Sequence, residues 1–303
     1  MNYASCLVIF ILFLIFAPIS NSTQLKIFTT KGEIAEYLLQ KRSAGKTIGL
    51  VPTMGALHNG HISLLAQAKA ATGEVVCSIF VNPTQFNDPK DLEKYPRPIE
   101  SDIEKLKSAG CDVLFNPPVS EVYAADEPAW HLDIGPLENM LEGKFRPGHY
   151  QGVTQVVFKL FDIIKPDMAF FGQKDYQQVL VISRMVELLK LPVKMVMCPI
   201  VREPGGLAMS SRNVHLSAQE KQDALALSQL LQLVKENFAT HTLPELKELA
   251  AGFMSQQPAL RMEYFEIADG DTLYPATADT PKVVALVAAW AGKTRLIDNM
   301  IIK

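Results

Sequence analysis

Short apolar runs alternate with longer stretches of helical period along this chain, and that alternation leaves few architectures open. Strand-like runs fall at 47–51, 75–81, 113–116, 168–171 and 193–200. Stretches with apolar residues at helical spacing fall at 34–42, 62–71, 99–109, 152–164 and 177–189. Strands that read as continuous apolar runs have both faces covered. Crossovers long enough to hold a helix return the next strand parallel to the last. The expected fold class is therefore α/β, a Rossmann-like doubly wound parallel sheet whose ligands lie beyond the carboxyl ends of the strands.

After Arg202 the pattern changes. Residues 218–238 and 243–255 read as helices, with start signals at Ser217 and at Thr242. Residues 262–268, 283–289 and 294–302 read as strands with turn residues between them. This predicts a smaller C-terminal α+β domain able to act as a lid. The expected division is an extension at 1–24, a doubly wound domain at 25–199 and the α+β domain at 200–303. There are no internal repeats or low-complexity linkers.

The first 24 residues stand apart. Nothing before Lys26 is charged, and 7–19 is an apolar run of 13 residues. That is short for a membrane span and suits a signal core, yet no Lys or Arg precedes it. Three readings stay open: a mis-called start, a genuine signal or anchor, or an added element packed on the domain. Only the anchor reading implies membrane association.

Composition narrows the partners. Lys and Arg number 29 against 32 Asp and Glu, a net charge of −3, which argues against nucleic acid as a partner. The hydrophobic share of 48% is ample for a core. The four cysteines form no C-x-x-C, and Cys77 and Cys198 sit in strand-like runs, so buried free thiols and a reducing compartment are expected.

Within this frame, 52–61 concentrates chemistry. His58 and His61 lie at a strand-to-helix turn, with Gly55 and Gly60 letting main chain approach a ligand. A helix N-terminus there offers unpaired N–H groups and a partial positive charge to a phosphate. Two imidazoles can donate to a phosphoryl group that gains charge during transfer. The same spacing also fits a surface pair or half of a metal site, but no carboxylate follows at zinc-motif spacing. Far downstream, 202–213 combines Gly205 and Gly206 with Met209, Ser210, Ser211 and Arg212, a loop able to close over phosphates.

Ten motifs then follow in order: V-P-T-M-G-A-L-H-N-G-H at 51–61, S-I-F-V-N-P-T-Q-F at 78–86, Y-P-R at 95–97, L-E-G at 141–143, R-P-G-H-Y-Q-G-V at 146–153, K-P-D at 165–167, F-G-Q-K-D-Y-Q-Q at 171–178, M-S-S-R-N at 209–213, V-A-A-W at 287–290 and R-L-I-D-N at 295–299. In this series the chain resembles the pantothenate synthetase (pantoate–β-alanine ligase) family of HxGH nucleotidyltransferases, from about Leu25 to the C-terminus.

The resemblance implies an AMP-forming ligase that condenses pantoate with β-alanine at the expense of ATP, through a pantoyl adenylate. It implies Mg2+, a homodimer and a cytoplasmic location. It assigns His61, with His58, to catalysis, His61 as proton donor. It assigns ATP binding to Met54, Gly55, His58, Gly60, His61, Gly172, Gln173, Lys174, Asp175, Val201, Met209, Ser210, Ser211 and Arg212, and pantoate or β-alanine binding to Gln85 and Gln178. It commits no protein ligand for the metal, which is held mainly through the ATP phosphates.

His149 reads as a structural histidine in a Gly/Pro loop, and 87–98, with Tyr95 and Arg97, as a loop able to gate the site. Two departures from the family pattern stand out: Gln173 in place of glutamate, and Pro204-Gly-Gly206 before the lid loop. Rival readings are a related nucleotidyltransferase that keeps its adenylyl product, a membrane-tethered ATP-binding protein, and a metalloenzyme built on His58 and His61.

Overall fold

The structure, a computed structural model, describes residues 24–87 and 89–303. The readings of residues 1–23, including Cys6, lie outside the described residues. Among the described residues no helix is long and apolar enough to cross a membrane.

The elements run β1 (Lys26–Phe28), α1 (Lys31–Ser43), β2 (Ile48–Thr53), α2 (Asn59–Ala71), β3 (Glu74–Ile79), α3 (Pro89–Lys94), α4 (Ile99–Ser108), β4 (Val113–Phe115), α5 (Val119–Val122), α6 (Glu142–Phe145), α7 (His149–Ile164), β5 (Met168–Gly172), α8 (Tyr176–Leu188) and β6 (Lys194–Cys198). They continue with α9 (Ala218–Asn237), α10 (Leu243–Ser255), β7 (Leu260–Asp269), β8 (Val283–Ala291) and β9 (Thr294–Ile301). β1 to β6 form one parallel sheet in the order β1-β4-β3-β2-β5-β6, and β7-β8-β9 a second, antiparallel sheet.

The α/β fold expected from the alternation is the one observed. The parallel sheet is covered on both faces, as its apolar strands require. One face packs α1, α7 and α8 through residues such as Ile34, Leu160 and Ile182. The other packs α2 and α4 through Leu65, Ala68 and Leu106. α9 and α10 pack on the antiparallel sheet through Leu230, Leu246 and Val287. Tyr176 at the head of α8 joins the two units, buried against Leu273 and Leu286 and donating to the carbonyl of Gly270 at 2.7 Å.

Strand order reverses between β2 and β5. Their pairing covers only Gly49 with Met168 and Leu50 with Ala169, although β2 runs on to Thr53 and β5 to Gly172. The two carboxyl ends therefore splay apart, and the crevice between them is the switch point where such sheets hold ligands.

Several boundaries moved. β1 was missed because three residues carry too little period to detect. Residues 89–94 of the presumed 87–98 loop are helical. α7 starts at His149, not residue 152, because Gly148, in the left-handed region at φ 76°, turns the chain into it. His149 is thus a buried first-turn residue and not part of a loop. Cys77, Cys111 and Cys198 are buried free thiols, as expected for Cys77 and Cys198.

Candidate active site

β2 delivers His58 and His61 to the crevice. His58 is the N-cap of α2, with Nδ1 accepting the Gly60 N–H at 3.1 Å, while His61 Nδ1 accepts the His58 N–H at 3.3 Å. The pair forms a reciprocal capping box made of two imidazoles, stacked at 4.0 Å between ring centroids. This corrects one expectation. Two of the first-turn N–H groups are not open to a phosphate: Gly60 N–H goes to His58 Nδ1, and His61 N–H to the His58 carbonyl at 2.8 Å. What reaches the crevice is side-chain chemistry. With both Nδ1 atoms accepting, each neutral ring carries its proton on Nε2. Burial, and then Lys174, pull His58 down to about 4; burial, then His58, pull His61 down to about 3. Both are neutral Nε2–H donors at pH 7. Gly60 is required by close approach, since a Cβ there would stand 2.8 Å from the His58 ring.

The turn before α2 is held from behind by α4. Ala56 sits in the left-handed region at φ 49°, after Gly55 at 81°. The Asp102 carboxylate, 1% exposed, accepts the Ala56 N–H at 2.7 Å and the Leu57 N–H at 2.8 Å. Lys105 donates to the Leu57 carbonyl at 2.7 Å. Nothing local in the sequence marks Asp102, which reads as an ordinary first-turn acid of an amphipathic helix.

Across the crevice, β5 ends at Gly172 and Lys174 follows in a tight turn, its ammonium 3.7 Å from Asp175. Asp175 occupies the N-cap of α8 without a side-chain capping bond, so it is not there as a cap. The 202–213 segment is a small hairpin: Arg202 bridges Ala208, and Met209 N–H returns to the Val201 carbonyl at 3.0 Å. Beyond it Ser210 caps a 3₁₀ turn, accepting the Arg212 N–H at 3.2 Å.

The third wall comes from the loop after β3. Asn82 Nδ2 donates to Gln85 Oε1 at 3.1 Å and to the Gly152 carbonyl at 3.1 Å, and Gln85 Nε2 points to Met54 Sδ at 3.2 Å. His149 Nε2 faces Arg146 Nη1 at 3.1 Å and its Nδ1 faces the Gln85 carbonyl at 2.9 Å. Arg146 can only donate, so Nδ1 carries the His149 proton. Burial, then Arg146, bring His149 down to about 4. Burial and the nearby Arg212 push Arg146 below its ordinary range. This cationic pair of arginines on one cleft suits an anionic ligand. Tyr95 OH lies 3.4 Å from Ser211 Oγ, joining the 87–98 segment to the 209–213 loop.

One continuous cleft is lined by Met54, His58, Gly60, His61, Gln85, Gly172, Lys174, Asp175, Gln178, Val201, Met209, Ser210, Ser211 and Arg212. Two expected residues are not on its wall. Gly55 turns the chain behind it, and Gln173 sends its amide to Asn299 Oδ1 at 3.2 Å. Asn82, Arg146, Asp298 and Asn299 also line the cleft, without an expected site role, and so does His149, which the sequence marks as structural. The neighbouring Gln177 is structural, donating to the carbonyls of Leu137 and Met140 at 2.9 and 2.8 Å.

Three unassigned motifs also meet. Arg295 pairs with Glu142 at 2.7 Å and with Glu263, to which Trp290 Nε1 donates at 3.0 Å. Burial works against ionisation of Glu142, yet Arg295 holds it below the usual carboxylate range.

A doubly wound sheet with an H-x-G-H pair at its switch point, facing a lysine turn and a Ser/Arg loop, defines an α/β nucleotide-using enzyme of the HxGH class. The chain belongs to the pantoate–β-alanine ligase family: the model described as Pantoate-beta-alanine ligase matches residues 26–301. It is 46% identical to the pantothenate synthetase of Porphyromonas gingivalis over 279 residues, covering 91% of this chain and 99% of that one. It is also 46% identical to that of Thermotoga neapolitana over 280 residues, covering 92% and 100%. The crystal structure of pantothenate synthetase from Thermus thermophilus matches with a TM-score of 0.87 at 38% identity, covering 91% of this chain and 99% of that one. A Francisella tularensis pantoate–β-alanine ligase, solved with a β,γ-ATP compound and β-alanine, matches with a TM-score of 0.76 at 35% identity, covering 92% and 98%. The activity of this family is an amide ligation of pantoate with β-alanine.

Proposed function

We propose that the cleft performs this ligation in two steps on ATP. The pantoate carboxylate oxygen attacks the α-phosphorus, the bond to the bridging oxygen breaks, and pyrophosphate leaves. The β-alanine nitrogen then attacks the acyl carbon, loses its proton and expels AMP. The observation that carries the reading is the His58–His61 capping box, which leaves the ring proton of both imidazoles on Nε2, on the wall of a cleft shared with Lys174. Phosphoryl transfer needs positioning and charge stabilisation more than covalent help. Preorganised donors of this kind are worth about 3–4 kcal/mol each in comparable sites. As neutral Nε2–H donors the two imidazoles stabilise, by hydrogen bonding, the oxygens that gain charge as pyrophosphate leaves.

In this reading Lys174 and Arg212 neutralise the outer phosphates, with Met54, Val201, Met209, Ser210 and Ser211 around the nucleotide. Gln85 and Gln178 orient pantoate, and Arg146 with His149 holds the wall beside Gln85. Among the described residues no group of three His, Cys, Asp or Glu is arranged for a metal. Mg2+ is assigned to the phosphate oxygens, its usual mode with nucleotides. The segment 200–303 acts as the lid domain over residues 25–199, and the protein is a cytoplasmic homodimer; these last points rest on the family alone.

The test is pyrophosphate release from magnesium and ATP, with and without pantoate and β-alanine, using protein starting at Gln24. Pantoate-dependent pyrophosphate, with AMP and pantothenate appearing on adding β-alanine, is the expected result. His61→Ala should lower the first step at least ~100-fold with the fold intact. Near wild-type release from that variant would refute the assignment.

A further inference from the structure

β9 carries Asp298-Asn299 in its second half, and the two residues are 3% and 2% exposed. Each reaches a different loop of the cleft. Asn299 Nδ2 donates to the main-chain carbonyls of Gln173 at 3.0 Å and Lys174 at 2.9 Å, and its Oδ1 receives Gln173 Nε2 at 3.2 Å. Asp298 receives Arg202 in a two-point pair at 2.6 and 3.0 Å, while Arg202 Nη1 also donates to the Gly206 carbonyl at 2.8 Å. Asp298 Oδ1 further receives the Asn299 N–H at 2.8 Å, so the two side chains act as one unit.

Among uncharged side chains, a carboxamide supplies two N–H groups to carbonyls and takes one back. A carboxylate at 299 would face two carbonyl oxygens, and an alanine would leave those carbonyls without their donor. This part of β9 thus braces the turn that carries Lys174 and the root of the hairpin that leads to Met209 and Arg212.

We propose that Asn299 is a positioning residue for the nucleotide, acting through the backbone on either side of the Lys174 side chain, and that Asp298 braces the opposing hairpin through Arg202. The proposal goes beyond the assignment of Lys174 to the phosphates and rests on it. The test is calorimetric binding of a non-hydrolysable ATP analogue with magnesium to the wild type, Lys174→Ala, Asn299→Ala and the double variant. Initial rates at varied ATP and varied pantoate accompany it. Asn299→Ala should weaken nucleotide binding by roughly 10-fold and raise KM for ATP in step, with KM for pantoate changed less than ~3-fold. In the Lys174→Ala background the same substitution should cost under ~2-fold, because the group it positions is gone. If Asn299→Ala does not fold, Asn299→Ser, which keeps one donor, carries the same comparison with a smaller expected loss. Full additivity in the double variant, or equal rises in both KM values, would overturn the proposal. Wild-type affinity in Asn299→Ala would overturn the proposal alone. Wild-type affinity in Lys174→Ala would overturn the phosphate assignment and the proposal with it.

Discussion

Replacing Asp102 with alanine is the sharpest test of how the histidine turn is built. The carboxylate is 1% exposed and accepts two main-chain N–H groups, at 2.7 Å from Ala56 and 2.8 Å from Leu57. Hydrogen bonds to a charged acceptor are worth about 1.5–3 kcal/mol each. Alanine removes both and leaves two amides unpaired in a turn that already holds Ala56 at φ 49°, a conformation costing about 1–2 kcal/mol. The summed loss is about 3–6 kcal/mol, less whatever the turn recovers by rearranging. If the turn keeps its shape, the loss appears as stability, and at roughly 2–4 °C per kcal/mol the melting temperature falls by about 6–24 °C. If the turn lets go, the stability change is smaller, and pyrophosphate release collapses because His58 leaves the α2 cap. Calorimetry and the pyrophosphate assay, run on the same preparation, capture both routes. A variant within ~1 °C of the wild type that still releases pyrophosphate at the wild-type rate would refute the reasoning.

Gly60→Ala should abolish most activity while barely moving the melting temperature, because its Cβ would stand 2.8 Å from the His58 ring; unchanged kinetics would exclude the tight approach. Stability should fall as pH drops below about 6.5. His58, His61 and His149 titrate at about 4, 3 and 4 when folded, so the unfolded chain takes up protons first. Each histidine costs up to about 2 kcal/mol at pH 5, and urea midpoints at pH 7 and pH 5 give the sign directly. In ¹⁵N NMR the His58 and His61 rings should stay neutral with the proton on Nε2 from pH 8 to pH 5, and a Nδ1–H pattern would break the capping-box account. Cys77, Cys111 and Cys198 should resist a water-soluble thiol reagent in protein starting at Gln24, since burial raises Cys77 and lifts Cys111 and Cys198 to about 12 and 11. Fast labelling of any of the three would contradict their burial.

Legibility in the sequence followed the range of the interaction. Helix starts at Ser217 and Thr242 were readable because a capping box is written three residues apart, and both boxes are present. The switch from buried strands to helical period was readable for the same reason, and it sufficed for the α/β fold. The histidine pair was visible as a motif, but what it offers a ligand was not. The pair takes up the amides of His58 and Gly60, a fact set by two side-chain torsions.

Other parts of the site depend on partners far along the chain. Asp102 meets Leu57 across 45 residues, and Asn299 meets Lys174 across 125. Neither pair has a local signature, because each exists only once the strand order β3-β2-β5 and the packing of β9 against the turn after β5 are formed. By itself the sequence determined where most of the longer strands and helices form and which residue types stand at the strand ends. The tertiary structure alone decided which N–H groups stay free, which imidazole nitrogen holds the proton, and which buried carboxylate and amide hold the loops in place. Period and capping are properties of neighbours, whereas hydrogen-bond satisfaction in a buried site is settled among groups that only folding brings together.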